Sequence, residues 1–373
     1  MKHIIITSFS VLVFTVAVAA LALPIKTKTL VLDSPAFQSS SGTLAAVQSY
    51  VYLSPDMSSF KDKVKGFLTD LQVGDNLERN TDTACERMKL FATLGTPEQK
   101  VKLSIQGCND AKPELPRTDH NGIAISDSVN LGTCSFASSG SSTLTLKASG
   151  EDDAPATVYF SPPHGLGVIS DIDDTIKITN VTDHDKMAQN TLYKDPLPVP
   201  GMPELYKSLA QSLTTETIPP QFLYVSGSPM QLQPFLSSFL NSTYPASKGP
   251  IFLQTFSIFD LPKIFESLGS GADAEKIEYK VSQITRIQKM YPQKSFLAIG
   301  DSGEMDPEVY GEVYRRFGKD FIRCIWIRKV LDAKNNPARF VAAFKGVPTE
   351  KTRVYEDEDI ESLEGINVAG SQC

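Results

Sequence analysis

No two of the five cysteines in this 373-residue chain, Cys85, Cys108, Cys134, Cys324 and Cys373, stand in C-x-x-C spacing, which argues against a zinc site. A basic excess is also lacking. The formal charge is −7 and the pI is near 5.3, unlike the cationic footprint of a protein that lives on nucleic acid, so no nucleic-acid partner is expected. An anionic substrate would therefore need a local cluster of cations. No internal repeat is present, which excludes a solenoid. With 41% hydrophobic and 21% charged residues, the composition excludes widespread disorder, and the length accommodates two modest domains.

Long apolar runs are missing except at the start of the chain. Lys2-His3, an apolar stretch centred on Val11 to Ala20, and Ala20-Leu21-Ala22 fit the three regions of a signal peptide. Cleavage near Ala22 and a secreted or secretory-pathway location are expected. The alternative is an uncleaved anchor, since the run is almost long enough to span a bilayer. The secretory route permits disulfides, and the sequons Asn180-Val181-Thr182 and Asn241-Ser242-Thr243 agree with it. Cys324 lies in the apolar run Ile322–Ile327 and is expected as a buried free thiol. Cys108–Cys134 is the favoured bridge, because both residues follow β-type runs in one small segment.

The order of textures divides the chain into a signal peptide (1–22), a Ser-rich linker followed by one or two helices (23–82), a β-rich, sandwich-like domain (83–162), an α/β domain (163–349) and an acidic tail (350–373) that is mobile apart from Cys373. Phe60, Val64, Phe67 and Leu71 carry the helical spacing within Leu44 to Leu71. Lys100–Ile105 and Thr143–Leu146 are β-type runs. From Leu166 onward, apolar runs alternate with helical stretches, the pattern of a parallel sheet. Strands are expected at Leu166–Ser170, Phe222–Val225, Ile251–Phe256, Ser295–Ile299 and Phe321–Arg328.

Ligands of open α/β sheets bind beyond the carboxyl ends of the strands, and three of those ends carry chemistry. Ser170-Asp171-Ile172-Asp173-Asp174-Thr175 puts three carboxylates on one tight turn, a repulsive arrangement that a bound cation would relieve. An acidic turn that only caps the sheet is the bland alternative. Tyr224-Val225-Ser226-Gly227-Ser228-Pro229 offers a hydroxyl and free N–H groups that can hold a phosphate oxygen, although such a turn is also common without one. Gly300-Asp301-Ser302-Gly303-Glu304-Met305-Asp306 again presents hard oxygen ligands suited to Mg²⁺. Lys280, one helix earlier, can bring a positive charge to a phosphoryl group; alone it reads as a solvated lysine.

In this order, D-x-D-x-T, a strand-end Ser, a Lys and G-D-x(4)-D resemble the haloacid-dehalogenase-like phosphatase superfamily. More narrowly, Val168–Lys177, Val181-Thr182-Asp183, Gly201–Tyr206 and Val225–Pro229 resemble the fungal actin-patch-type phosphatidate phosphatases, over roughly Ser161 to Gly346. The resemblance implies a Rossmannoid parallel sheet and Mg²⁺-dependent conversion of phosphatidate to diacylglycerol. It also implies Asp171 as the nucleophile forming an aspartyl-phosphate, Asp173 as general acid and base, and Thr175 as the residue orienting the turn. Ser226 would bind a phosphoryl oxygen, and Lys280 would offset charge on the nucleophile and phosphate. Asp301, Asp171 and the Asp173 backbone carbonyl would bind Mg²⁺, with Asp306 supporting its waters. Asp174 and Glu304 are left out of metal contact, although Glu304 could replace a ligand if the loop turns differently.

The long connection Ile176 to Pro220, with Asp195-Pro196-Leu197-Pro198-Val199-Pro200, is a candidate flap. His184 within it reads as a surface residue. Leu261, Ile264, Phe265 and Leu268 form a stripe that could meet acyl chains at a membrane surface or, more ordinarily, join a core. Two other functions fit the same residues: a phosphatase for soluble phosphomonoesters, and a non-catalytic secreted binding protein that works through its β-rich part.

Overall fold

The structure, a computed structural model, describes residues 27–40, 42–54, 58–71, 76–109, 113–134, 142–148, 154–255 and 273–373. The N-terminal apolar run and the 261–268 stripe lie outside these residues. Among the described residues no helix is long and apolar enough to cross a membrane.

The N-terminal part contains strands β1 (Lys28–Val31), β2 (Ser34–Ser39) and β3 (Gly42–Leu53) and helices α1 (Ser58–Asp70) and α2 (Leu77–Met88). These are followed by β4 (Leu94–Gly95), β5 (Leu103–Ile105), β6 (Cys108–Asn109), β7 (Ile123–Asn130), β8 (Thr133–Cys134), β9 (Ser142–Ala148) and β10 (Ala156–Ser161). The expected linker up to Ser41 is instead β1 and β2, and the helix expected from Leu44 is the long strand β3. The physical reason is that β3 is buried on both faces, which erases the polar half of a strand's alternation. Ala45, Val47 and Val51 enter the N-terminal core, while Ala46 and Tyr50 pack into clusters shared with the α/β domain. The expected sandwich is one hydrogen-bonded eight-stranded sheet: β3 pairs with β1 and β2 on one edge and with β7 on the other. The ribbon of β6 and β8 is bridged by Cys108–Cys134, the favoured disulfide. In α1, Phe60 and Val64 are buried at their helical spacing.

The α/β domain follows with β11 (Leu166–Ser170), α3 (His184–Leu192), α4 (Met202–Ser212), β12 (Gln221–Pro229), α5 (Gln233–Thr243), β13 (Ile251–Gln254), α6 (Asp273–Met290) and β14 (Ser295–Asp301). It ends with α7 (Asp306–Phe317), β15 (Ile322–Arg328), α8 (Pro337–Ala343), β16 (Thr352–Tyr355) and α9 (Ile360–Leu363). Six strands form a parallel sheet in the order β13-β12-β11-β14-β15-β16. The chain runs outward from β11 to β13 and then returns to the other side of β11 as β14. Such a reversal opens a crevice at the carboxyl ends of β11 and β14, where α/β sheets bind ligands.

Two expectations about the end of the chain are overturned. The tail is not mobile: Thr352–Tyr355 extends the sheet as β16, and Ile360 and Leu363 are buried. Cys324 is not a free thiol but is bridged to Cys373, leaving Cys85 as the free cysteine among the described residues. The tail folds back beneath β15, bringing together residues 49 positions apart. The 195–200 segment is pinned rather than flap-like, because Ile178 N–H donates to the Leu197 carbonyl and Val199 N–H to the Ile176 carbonyl.

Candidate active site

The site begins with β11. Its five residues are all buried, and the chain then turns sharply, with Asp174 in the left-handed region at φ 55°. Few side chains other than glycine tolerate that conformation without compensation. Here Asp174 supplies its own: its carboxylate accepts the N–H groups of Thr179, Asn180 and Val181, tying the turn closed. Arg328, at the end of β15, donates to the Asp174 carbonyl and pairs with Asp357. The turn therefore holds Asp171 and Asp173 side by side, while Ile172 between them points into the core.

The three strand ends converge. Lys280 Nζ, from α6, lies 2.9 Å from Asp171 Oδ1, 2.9 Å from Glu304 Oε2 and 2.6 Å from Asp306 Oδ1. Thr175 Oγ1 donates toward both Asp171 (3.2 Å) and Asp301 (3.1 Å). Asp301 accepts the N–H groups of Gly303 and Glu304, and Asp306 accepts the N–H of Asp301. Gly300 is required for this packing: a Cβ there would lie 2.4 Å from Asp306 Oδ2. Asp171, Asp301 and Asp306 are fully buried, with one carboxylate oxygen from each within 4.8 Å of the others.

On the other side of the turn, Asp173 faces Ser226. Its Oδ2 accepts from Ser226 (3.0 Å) and Ser228 (2.8 Å), while Oδ1 accepts from Thr179 (2.7 Å) and lies 3.1 Å from Lys177 Nζ. The register slip between Ser226 and Pro229 in the pairing of β12 with β13 brings both serine hydroxyls to the same carboxylate.

The charges are sorted unequally. Burial opposes the ionised form of Asp173, but Lys177 and the hydroxyl donors outweigh it and hold the carboxyl at about 2. Burial also opposes the charge on Lys280, yet Asp171, Asp306 and Glu304 outweigh it and keep the ammonium protonated. One ammonium cannot satisfy the whole group. Burial pushes Asp171 well above the usual carboxylate range against the pull of Lys280, and burial with the Asp306 and Glu304 charges does the same to Asp301. Glu304, shared between Lys280 and Lys276, is drawn down despite its burial. The Asp171–Asp301–Asp306 group is thus a set of hard oxygen ligands with excess negative charge, which fits a small divalent cation.

This domain matches a known family. Residues 166–329 match the family model described as the catalytic domain of phosphatidate phosphatase APP1. Over these residues the α/β domain is similar to the catalytic domain of APP1-type phosphatidate phosphatases. Phosphatidate phosphatase APP1 of Saccharomyces cerevisiae is 36% identical over 172 residues, covering 44% of this chain and 27% of that protein. An uncharacterized protein of Schizosaccharomyces pombe is 27% identical over 264 residues, covering 69% of this chain and 40% of that one. The chain thus aligns with less than half the length of either relative. A solved Bacteroides ovatus GH5 xyloglucanase in complex with a XXXG heptasaccharide overlaps at 10% identity and a TM-score of 0.20, too low to bear on fold or function.

The seven candidate site residues read from the sequence lie together here: Asp171, Asp173, Thr175, Ser226, Lys280, Asp301 and Asp306. The Asp173 side chain, however, is turned away from the three-carboxylate group toward Ser226 and Lys177. Four participants escaped sequence reasoning. Lys177, in the tail of the aspartate motif, and Ser228, two residues beyond Ser226, were visible as types but not as partners of Asp173. Thr179 and Lys276 carried no signal apart from sequence proximity. Asp174 serves as the turn's internal acceptor and Glu304 as the link between Lys276 and Lys280. His184 is exposed at the start of α3. Of the two sequons, Asn241 is exposed, whereas Asn180 is half-buried and accepts from Asn190.

Proposed function

We propose that the chain is a Mg²⁺-dependent phosphatidate phosphatase of haloacid-dehalogenase-like fold, hydrolysing phosphatidate to diacylglycerol and phosphate through an aspartyl-phosphate. The observation that carries this reading is the buried Lys280 ammonium, in contact with the motif aspartate Asp171 and with Asp306 beside Asp301. The substrate class rests on the named yeast relative and the family match. Bound at Asp171, Asp301 and Asp306, Mg²⁺ would supply positive charge to the phosphoryl oxygens.

Asp171 is the nucleophile: Thr175 and Lys280 fix its carboxylate, and Lys280 offsets charge as the phosphoryl group transfers. Ser226 and Ser228 are placed to donate to phosphoryl oxygens. A phosphate that takes those hydroxyls leaves Asp173 with fewer donors and raises its proton affinity. Asp173 can then protonate the leaving oxygen and afterwards deprotonate the water that attacks the phosphoenzyme. Transient contact with a membrane surface follows from a lipid substrate, and the two disulfides support an oxidising, secretory location.

The test is phosphate release by the purified chain, with Mg²⁺ or with EDTA, from phosphatidate in mixed micelles and from a panel of soluble phosphomonoesters. Mg²⁺-dependent hydrolysis of phosphatidate in preference to the panel is expected. Preference for a soluble ester would replace the substrate, and no metal-dependent turnover of any compound would end the enzymatic reading.

A further inference from the structure

At the opposite end of the parallel sheet lies a cavity of about 550 Å³, lined by Gly165, Thr215, Ser295, Lys319, Arg323 and Lys351 among others. Gly165 precedes β11 and Ser295 opens β14, whereas Asp171 and Asp301 stand at the other ends of these strands. At about 3.3 Å per residue, the cavity and the carboxylates are roughly 20 Å apart.

The cations around this cavity differ from those that surround the carboxylate site and line the helices beside it. Lys177, Lys276, Lys280, Arg286, Arg315, Arg316, Arg328 and Arg339 all pair with carboxylates. Among the described residues, no carboxylate lies within ion-pair distance of Lys319, Arg323 or Lys351, and the one acid on the lining is Asp320. Arg323 gives Nη1 to the Ala369 carbonyl and the Ser371 hydroxyl, but its buried Nε has no partner. Behind the wall, Lys294 is fully buried, and its Nζ donates to the His164 carbonyl at 2.7 Å. That ammonium lies 3.7 Å from the position of a Cβ on Gly165, next to Thr215. With no counter-ion among the described residues, it is pushed down to about 8 by burial.

The carbonyl ends of α6 and α7 also face this side and attract cations. Each terminus, however, is worth only about half a charge, against four cations offset by the single carboxylate of Asp320. We propose that this foot of the sheet binds a phosphate-like oxyanion at a site separate from the catalytic carboxylates. A soluble anion fits better than a lipid headgroup, because a membrane held at the foot would turn the carboxylate crevice away from it. Arg323 Nε and the Lys319 and Lys351 ammoniums are the donors, and charge-assisted hydrogen bonds of this kind are the strong ones.

Calorimetric titration of the full chain with inorganic phosphate in EDTA tests this, since the metal-free carboxylate crevice repels the anion. Saturable binding is expected, weakened about tenfold or more in Lys319→Gln/Lys351→Gln. These two side chains reach solvent, so the double variant should fold and keep its basal phosphatase activity; circular dichroism and phosphate release check both. Arg323→Gln should show the same loss, with Arg323→Lys restoring part of it. Absence of saturable binding by the wild type, or equal binding by the double variant, would overturn the proposal. Sedimentation with phosphatidate-containing and phosphatidylcholine-only vesicles separates the two sources of anion. The double substitution should leave it unchanged, and loss of phosphatidate-dependent sedimentation without phosphate binding would overturn the soluble-anion assignment.

Discussion

Replacing Lys280 with methionine removes an ammonium that contacts three buried carboxylates at 2.6 to 2.9 Å, while leaving a side chain of similar reach. At an effective dielectric of about 20, each contact is worth roughly 6 kcal/mol of gross attraction. Much of that is cancelled by the cost of burying the ammonium. The net loss when one partner of a buried ionic network is removed is about 3–5 kcal/mol. The variant, unfolded by urea in EDTA at neutral pH, should therefore lose about that much stability. The pH dependence has a definite sign. The orphaned carboxylates bind protons more tightly in the fold than in the unfolded chain, so each costs stability as pH rises above the unfolded value of about 4 and is relieved as pH falls toward it. The deficit should accordingly narrow on acidification. Mg²⁺ should restore more stability to the variant than it adds to the wild type, because the cation no longer competes with Lys280. A loss below about 1 kcal/mol in EDTA, or a deficit that widens on acidification, would refute the charge assignment made here.

The remaining predictions concern the reaction, a buried lysine and the tail. Asp171→Asn should neither turn over nor accumulate label, whereas Asp173→Asn should build up an acid-stable, hydroxylamine-sensitive phosphoenzyme from a substrate with an activated leaving group; undiminished turnover by Asp171→Asn would disprove the nucleophile. For Lys294, the folded value of about 8 lies below its ordinary 10.5, so its destabilising effect is present in full below pH 8 and fades as pH rises toward 10.5. Wild-type stability should therefore rise relative to Lys294→Met across that window by about 3 kcal/mol, read from denaturation midpoints; a flat difference would show that the ammonium already has a counter-ion. Cys373→Ser opens a loop of 49 residues and should cost up to about 4 kcal/mol, measured as a lower thermal midpoint under non-reducing conditions; equal stability would show that β16 holds the tail without the bridge.

The catalytic half of the chain was legible because its signals are local. A parallel strand buried on both faces is a short apolar run, and each such run ends where its functional residue must stand. Leu166–Ser170 and Asp171, Tyr224–Val225 and Ser226, and Ala298–Ile299 and Asp301 could therefore all be read as strand and site together. The same double burial hid β3, whose neighbours on both faces come from distant parts of the chain, and β1 and β2 had too little periodicity to separate them from a linker.

Partnership was decided only in three dimensions. Lys177 and Ser228 were visible in sequence as types, but that they and Thr179 share one Asp173 carboxylate follows from the left-handed turn at Asp174 and the slipped register after Ser226. Lys276 joins the site only because α6 lays it against Glu304. The bridge from Cys324 to Cys373 and the sixth strand likewise depend on the tail returning beneath β15. Residue type and strand ends are properties of neighbours along the chain, so the sequence alone determined which side chains stand at the candidate site. Charge pairing, cation excess and covalent closure are properties of neighbours in space, and the tertiary structure decided them.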